Sequence, residues 1–300
     1  MRQSNTAAAP AAVTTMPRKS HSVGKLFIYF FLSLWALTTI YPFVWVIQNS
    51  FKDGGLIRSD SFSIPTGDKF TMGNYIQAWN EFGIPGAYIN SLLISCTVTV
   101  AVMLLAGIAA YGIARYNFRG KSAVHALVIA SMMFPVFSTI IPVFRMMFNW
   151  GIVNTDNLWL SRISVILPQI AGNLSFAIIV LIGFINSLPV DLEEAAYLEG
   201  YDVYQIFFHV IIPLAKPAFA TVAIFTFLWS YNDLFTQLFF LRDKDAFTIT
   251  CLLNEISSQA GVNYGLMASS VVLVVVPVLI VYIVLQKNII KGLTVGAIKG

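Results

Sequence analysis

The chain has 300 residues, of which 57% are hydrophobic and only 11% are charged. A soluble domain carries roughly twice that charged fraction, so the composition excludes a soluble protein and indicates an integral membrane protein. The net charge of +4 is too small for a nucleic-acid-binding surface, and the two cysteines and three scattered histidines lack the spacing of a disulfide framework or metal site.

The N-terminal residues 1–22 are dominated by Ala, Ser, Thr and Pro, with Arg18 and Lys19 near their end, which predicts a disordered basic tail. The apolar run 26–47 has the basic flank of a signal peptide. It is too long for a signal core, and no small-residue cleavage site follows it. We therefore predict that it is the first transmembrane helix.

Five further apolar runs each approach the about 20 residues that cross a bilayer, so we predict an all-α, polytopic protein with six spans. Pro135 and Pro142 are expected to kink the third span. Ala106 and Ala110 are four residues apart in the second span, which favours close helix packing. The predicted spans after the first are 88–113, 123–147, 163–186, 217–240 and 265–286.

The charge pattern predicts the orientation. The short loop 115–121 has three basic residues and no acidic residue, which is typical of a cytoplasmic loop. With an even number of spans, both termini are then cytoplasmic. The longest outer loop, 48–87, is predicted to contain a short helix at 74–82, and it is either a docking site for an external partner or a cap over the bundle.

One cytoplasmic stretch, 190–216, interrupts the apolar pattern with a cluster of acidic residues. Asp191 is predicted to cap a short helix with Glu193 and Glu194 in its first turn, where the helix dipole favours anions. Gly200 is expected to end that helix, because glycine tolerates a left-handed conformation.

A second helix of this stretch is predicted to start at Asp202, run toward Ile211 and be limited by Pro213. Its apolar stripe is predicted to consist of Val203, Ile206, Phe207 and Val210. The stretch is therefore an elbow of helix, glycine turn and helix. The pattern alone leaves open whether it simply packs on its own chain or binds a partner.

The elbow resembles the coupling loop of ABC importer permeases, in which Glu-Ala-Ala precedes a glycine turn and a later proline. The residues in register are Glu194, Ala195, Ala196, Gly200 and Pro213. The departures from the family pattern are Glu199 in place of Asp, Tyr201 in place of Ala and Ile212 in place of Leu.

Further motifs follow in the family's order, and together they resemble a carbohydrate-uptake permease of the maltose-transporter type over most of the chain. They are Asn74-Tyr75 with Trp79, Asn90-Ser91-Leu92, Ala110-Tyr111 with Ala114-Arg115, Pro135 with Ile141-Pro142, Asn154-Thr155, Asn232-Asp233 and Gly292-Leu293 with Gly296-Ala297. The resemblance implies the type I ABC importer permease fold over 23–287, in the bacterial cytoplasmic membrane.

The resemblance also implies the partners. They are a second homologous permease, two ATPase subunits that hold ATP and Mg, and an extracytoplasmic solute-binding protein that delivers a sugar; this chain would bind no cofactor and catalyse no reaction. The implied ATPase-coupling residues are Glu193, Glu194, Ala195, Ala196, Gly200, Asp202 and Pro213. The C-terminal tail 288–300 is expected to be extended and to reach the ATPase through Gly292, Thr294, Gly296 and Lys299.

Polar residues inside spans are costly and usually functional. The candidates for a sugar path are Asn90, Asn173, Trp229, Tyr231, Asn232 and Asp233. Aromatic rings suit the apolar faces of a sugar, and amides and carboxylates suit its hydroxyls. In the alternative, Asp233 pairs with Arg145 or Arg162 and has only a structural role.

Two other function classes remain as alternatives. An ion-coupled secondary transporter would show ionisable residues or broken helices near the midplane and an inverted repeat. A membrane enzyme would show a nucleophile with its base, or paired carboxylates, at one depth. Neither pattern is clear in the sequence.

Overall fold

The computed structural model describes residues 23–259 and 263–297, and in these ranges the chain forms helices and loops and no strand. Single 3-10 turns lie at Gly67–Lys69 and Lys244–Ala246. The helices are α1 (Val23–Ser50), α2 (Gly54–Ser59), α3 (Gly73–Glu81), α4 (Ile84–Arg115), α5 (Lys121–Ser131), α6 (Val136–Asn149), α7 (Leu158–Ile185), α8 (Asp191–Leu198), α9 (Val203–Ile206), α10 (Ile212–Leu214), α11 (Lys216–Asn232), α12 (Leu234–Phe240), α13 (Ile249–Gln259) and α14 (Tyr264–Ala297).

The chain divides into two units, Met1–Trp45 and Val46–Gly300. In the first unit the described chain is helical, and its apolar side chains are exposed on all sides of the helix. A helix that is apolar all round is typical of a membrane span. The remaining helices belong to the second unit.

Three helices are long and apolar enough to cross a membrane, namely Gly24–Ser50, Ile84–Arg115 and Leu158–Ile185. A fourth span is counted if Val203–Leu214 and Lys216–Asn232, which meet at 81°, are taken together. The number of six spans is therefore not confirmed by helix length and composition, and it stays a prediction.

Two of the predicted spans are broken. The third span is split into α5 and α6, because Pro135 adopts an extended backbone immediately before α6, while Pro142 lies inside α6. The fifth span is split into α11 and α12 at Asp233, whose carboxylate accepts a hydrogen bond from the N–H of Thr236 and caps the second segment.

The main core lies between α4 and α7. The fully buried apolar residues that these two helices contribute to this core are, on α4, Ile94, Val98, Val102, Ala106 and Ala110 and, on α7, Val165, Ala177, Leu181 and Ile185. The buried α4 positions recur at every fourth residue, which puts them on one face of the helix. The expected close packing at the two alanines is confirmed.

A buried lysine organises the start of the long loop 48–87. Lys52 has no exposed surface, and its ammonium group donates to the carbonyls of Asp60 and Ser61, both at 3.2 Å. Burial lowers the pKa of Lys52, and the nearby Asp60 carboxylate partly opposes that change. Lys52 therefore ties residues 60 and 61 back to the beginning of the loop.

The same loop is fastened to the start of α14. Asn74 donates from its amide to the carbonyls of Ser50 at 3.2 Å and Lys52 at 2.8 Å. A Cβ atom at Gly265 would lie 2.6 Å from the Lys52 carbonyl oxygen and 2.7 Å from Nδ2 of Asn74. Only glycine allows α14 to begin this close to the loop.

The prolines in the apolar helices leave carbonyls that need other partners. Pro277 lies inside α14 and has no N–H, so the carbonyl of Leu273 loses its helical donor. The hydroxyl of Tyr88 on α4 donates to this carbonyl and also reaches the carbonyl of Val274 at 3.3 Å. This satisfies the freed carbonyl, which would be costly to leave unpaired among apolar side chains.

The close contact at Gly265 is testable. We expect Gly265→Ala to destabilise the junction of α3 and α14 by about 1–3 kcal/mol, because the new methyl group meets the backbone carbonyl oxygen of Lys52 and the buried, hydrogen-bonded amide of Asn74. Gly183→Ala is the matched control, since a Cβ at that position meets no atom within 4 Å. The measurement is the thermal unfolding midpoint in detergent. Equal midpoints for both variants would contradict the close approach.

Candidate functional site

The first helix of the elbow has an acidic N-terminus. Helix α8 has Asp191, Glu193 and Glu194 in its first turn, where unpaired N–H groups favour anions. Val190 occupies the cap position and makes no side-chain cap. The prediction that Asp191 caps the helix is therefore wrong, because Asp191 is already the first helical residue.

The predicted glycine turn at Gly200 and the predicted helix cap at Asp202 are both found. Gly200 has a φ of +89°, in the left-handed region that glycine adopts without strain. Asp202 accepts a hydrogen bond from the N–H of Gln205 at 2.8 Å, and the Gln205 side chain accepts from the N–H of Asp202 at 2.9 Å. This capping box includes Gln205, which the Asp-x-x-Gln spacing in the sequence could have identified.

The second helix continues past the predicted limit, through Val203–Leu214. It contains a widened π turn at Phe207–Ile211, in which the N–H of Ile212 donates to the carbonyl of Phe207, just before Pro213. Ile206, Phe207 and Ile211 are buried, and Val210 packs beside them, whereas Val203, the first residue of the predicted apolar stripe, is exposed. The wider turn shifts the buried face, which a regular helical period does not anticipate.

The two adjacent glutamates of the elbow face opposite ways. Glu193 is 9% exposed, and its carboxylate accepts from Nε of Arg115 at 2.5 Å and from the hydroxyl of Tyr111 at 3.1 Å. Glu194 is exposed. The family resemblance implied that both are coupling residues; the structure turns Glu193 toward α4 and leaves Glu194 exposed.

The outer side of the elbow is apolar as well as acidic. Beside Glu194, the side chains of Tyr197, Leu198 and Tyr204 are 69%, 87% and 72% exposed. Ala195 is exposed and Ala196 is buried, which matches one inward and one outward side of α8. Neighbouring exposed apolar side chains are typical of a contact surface. We call these residues the elbow face.

A cavity of about 790 Å³ lies between α6, α7, α11 and α12. Three predicted path residues line it: Asn173, Trp229 and Asp233. The indole of Trp229 packs edge-on against Phe176, with ring centroids 4.8 Å apart. One wall therefore combines an aromatic ring with amide and carboxylate oxygens.

Asp233 does not pair with an arginine. Its two carboxylate oxygens accept from Nε2 of Gln169 and from the N–H of Thr236, both at 3.0 Å. Arg162 instead donates to Oδ1 of Asn90, at 2.8 and 3.2 Å, and stacks on the ring of Trp159. The alternative of an ion pair with Arg162 is wrong. Arg145 is exposed and also forms no ion pair with Asp233 in the described chain.

A buried polar network behind Asp233 was missed by the sequence reasoning. Gln169 accepts from the hydroxyl of Ser230 at 2.6 Å, and Gln237 donates to the carbonyl of Ser230 at 2.8 Å. Thr248 and Thr250 both donate to the side chain of Gln237. The sequence does contain a signal for this network. Gln169 and Gln237 stand within apolar runs, and buried polar side chains need hydrogen-bond partners.

The other predicted path residues lie elsewhere. Asn90 donates to the carbonyls of Asp245 at 2.8 Å and Phe247 at 3.0 Å, so it fastens the chain after α12 to α4. Tyr231 belongs to a second apolar cluster, and Asn232 donates to the carbonyl of Leu228 on its own helix. The predicted set thus splits into cavity residues and structural residues.

The C-terminal tail also differs from the extended segment that was predicted. Helix α14 continues to Ala297 and includes Gly292, Thr294 and Gly296, so the extended conformation is not found there. Lys299 and the residues 1–22 lie outside the described residues. In the described ranges, no group of three His, Cys, Asp or Glu side chains is arranged to hold a metal ion.

The sequence and fold have clear relatives. Residues 102–295 match the family described as binding-protein-dependent transport system inner membrane component. The chain is 36% identical over 270 residues to the diacetylchitobiose uptake system permease protein NgcG of Streptomyces coelicolor, with 89% of this chain and 87% of that protein covered. It is 33% identical over 261 residues to the trehalose transport system permease protein SugB of Mycobacterium tuberculosis, covering 86% and 92%.

The fold is shared with a chain in the crystal structure of a bacterial ABC transporter involved in the import of the acidic polysaccharide alginate. The TM-score is 0.77 at 22% identity, over 91% of this chain and 99% of that chain. The family match covers well over half of the sequence, and it removes the ion-coupled and enzymatic alternatives. The chain belongs to the binding-protein-dependent transport system inner membrane components, and it is a permease subunit of an ABC importer.

Proposed function

We propose that this permease forms half of the translocation pathway for a sugar or oligosaccharide. The cavity lined by Trp229, Asn173 and Asp233 carries the proposal, since a sugar stacks its apolar face on a ring and gives its hydroxyls to amides and carboxylates. Its volume lies within the about 300–1,000 Å³ usual for small-molecule sites. The relatives named for uptake of diacetylchitobiose and trehalose support the same substrate class.

Two partner ATPase subunits, which hold ATP and Mg, drive transport through the pathway. These subunits bind the elbow face. Leu198 and Tyr204 need an apolar cleft to cover them, and Glu194 at the N-terminal turn of α8 suits a basic group in that cleft. A second homologous permease completes the pathway, and an extracytoplasmic binding protein delivers the sugar. Rigid-body rocking of the two permeases then exposes the cavity to each side in turn.

Both termini and the elbow lie on the cytoplasmic side of the bacterial inner membrane in this proposal. The ion pair between Arg115 and Glu193 supports it, because it joins the elbow to the end of α4 where the basic loop 115–121 begins. Basic short loops are retained in the cytoplasm. The C-terminal residues Gly292, Thr294, Gly296 and Lys299 are proposed to approach the ATPase.

The docking role of the elbow face is tested by charge reversal. We expect Glu194→Lys to lower sugar uptake by about tenfold or more, because it places a cation against the basic cleft. Glu199→Lys is the matched control, since Glu199 is exposed on the same elbow but stands at the end of α8. Uptake is measured with labelled diacetylchitobiose and trehalose as probes, and assembly by co-purification of the ATPase subunits. Normal uptake by the Glu194 variant would contradict the docking.

The role of Asp233 is tested by two variants that separate charge from capping. Asp233→Asn keeps a side-chain cap for Thr236 but loses the carboxylate, whereas Asp233→Ala loses both. We expect both to lower the uptake rate by about tenfold, because each removes an acceptor for a sugar hydroxyl. Normal uptake by Asp233→Asn, with a defect only in Asp233→Ala, would leave Asp233 a helix cap and contradict the sugar contact.

A further inference from the structure

One face of α4 touches the elbow at three successive turns. Gly107, Tyr111 and Arg115 are spaced by four residues, so they share that face. At Gly107 an added Cβ would lie 3.0 Å from the ring of Phe219 and 3.2 Å from the ring of Phe207. The ring of Tyr111 lies 5.5 Å from that of Phe207, which belongs to the π turn of the elbow. Close packing therefore joins the second elbow helix to α4.

The polar contacts join the first elbow helix to the same face. Nε of Arg115 donates to Oε1 of Glu193 at 2.5 Å, and its NH2 group donates to the carbonyl of Leu188 at 3.0 Å. Tyr111 donates to Oε2 of Glu193, so both oxygens of this buried carboxylate are used. The side chains of Arg115 and Glu193 are only 10% and 11% exposed, which makes this contact weakly screened by salt.

We propose that Arg115 and Tyr111 are positioning residues for energy coupling, which fasten the elbow to α4 so that both move as one body. The proposal rests on the proposed function of the elbow as the ATPase contact. Without this link, the elbow would be joined to the bundle by apolar packing and by its two chain ends, one of which is the 81° bend before α11. Such a bend absorbs displacement as a hinge, whereas a hydrogen-bonded ion pair transmits it.

Arg115 differs in this role from Glu194. Glu194 is turned outward and is proposed to bind the ATPase, whereas Arg115 is nearly buried and is held by Glu193 and the carbonyl of Leu188. A loss of Arg115 therefore leaves the elbow face chemically intact. The expected defect is a loss of uptake per ATP hydrolysed and not a loss of the ATPase subunits from the complex.

The test uses the complete importer in proteoliposomes. Uptake of labelled diacetylchitobiose, or of whichever probe sugar the native importer carries, is divided by the ATP hydrolysed in the same sample. We expect Arg115→Ala and Glu193→Gln to lower this ratio by about tenfold, and Tyr111→Phe to lower it less, since it loses one of the two donors to Glu193. Arg119→Ala is the matched control, because Arg119 is an exposed cation in the loop that follows α4.

Charge exchange separates positioning from folding. Arg115→Glu alone should uncouple strongly, and the double variant Arg115→Glu with Glu193→Arg should recover a large part of the ratio. Assembled single variants with a normal ratio would overturn the proposal. Single variants that fail to assemble, with no recovery in the double variant, would overturn it too, because the pair would then serve folding only. A normal Glu194→Lys importer, by contrast, contradicts the docking of the elbow face and not this link.

Discussion

The ion pair between Arg115 and Glu193 holds the inner side of the first elbow helix against α4. Separating a buried carboxylate from its bound partner costs about 3–5 kcal/mol, so the pair resists a displacement of the elbow relative to α4. Successive helical residues point about 100° apart, so with Glu193 and Ala196 on the inner side, Glu194 and Leu198 point outward. The inner contact and the outer surface of the elbow are thus opposite sides of one helix.

Helix α4 is held at both ends by polar contacts of this kind. At the end opposite Arg115, Asn90 binds Arg162 and two backbone carbonyls, and Ser91 accepts from the N–H of Ile249 at 2.8 Å. Between the two ends, α4 packs on α7 through small and branched residues, and a residue of α4 is fully buried at every turn from Ile94 to Ala110. A continuous helix that is held at both ends is suited to carry a displacement along its length.

The local chemistry of the elbow could be predicted from its sequence. The glycine turn and the Asp202 cap follow from interactions within a few residues, and both are found as expected. The opposite orientation of Glu193 and Glu194 could not be predicted, because it depends on Arg115, which is distant in the chain. The same holds for Asp233, whose partner proved to be an amide on another helix and not an arginine.

The apolar runs predicted where helices lie but not where they break. A local cap at Asp233 and an extended Pro135 break two of the predicted spans. Composition therefore locates the helices of the bundle, while a proline and a side-chain cap interrupt two of them. The predicted sugar-path residues are also divided, since only some of them line the cavity.

The central claim is that the elbow and α4 move together when ATP binds. Pulsed EPR can measure this with spin labels on cysteines at the exposed positions Arg119 and Glu199, after replacement of Cys96 and Cys251. The distance between the two labels within one permease should be the same in the resting and ATP-bound importer, while the distance between the elbows of the two permeases changes. A change within one permease as large as the change between the two would contradict the account.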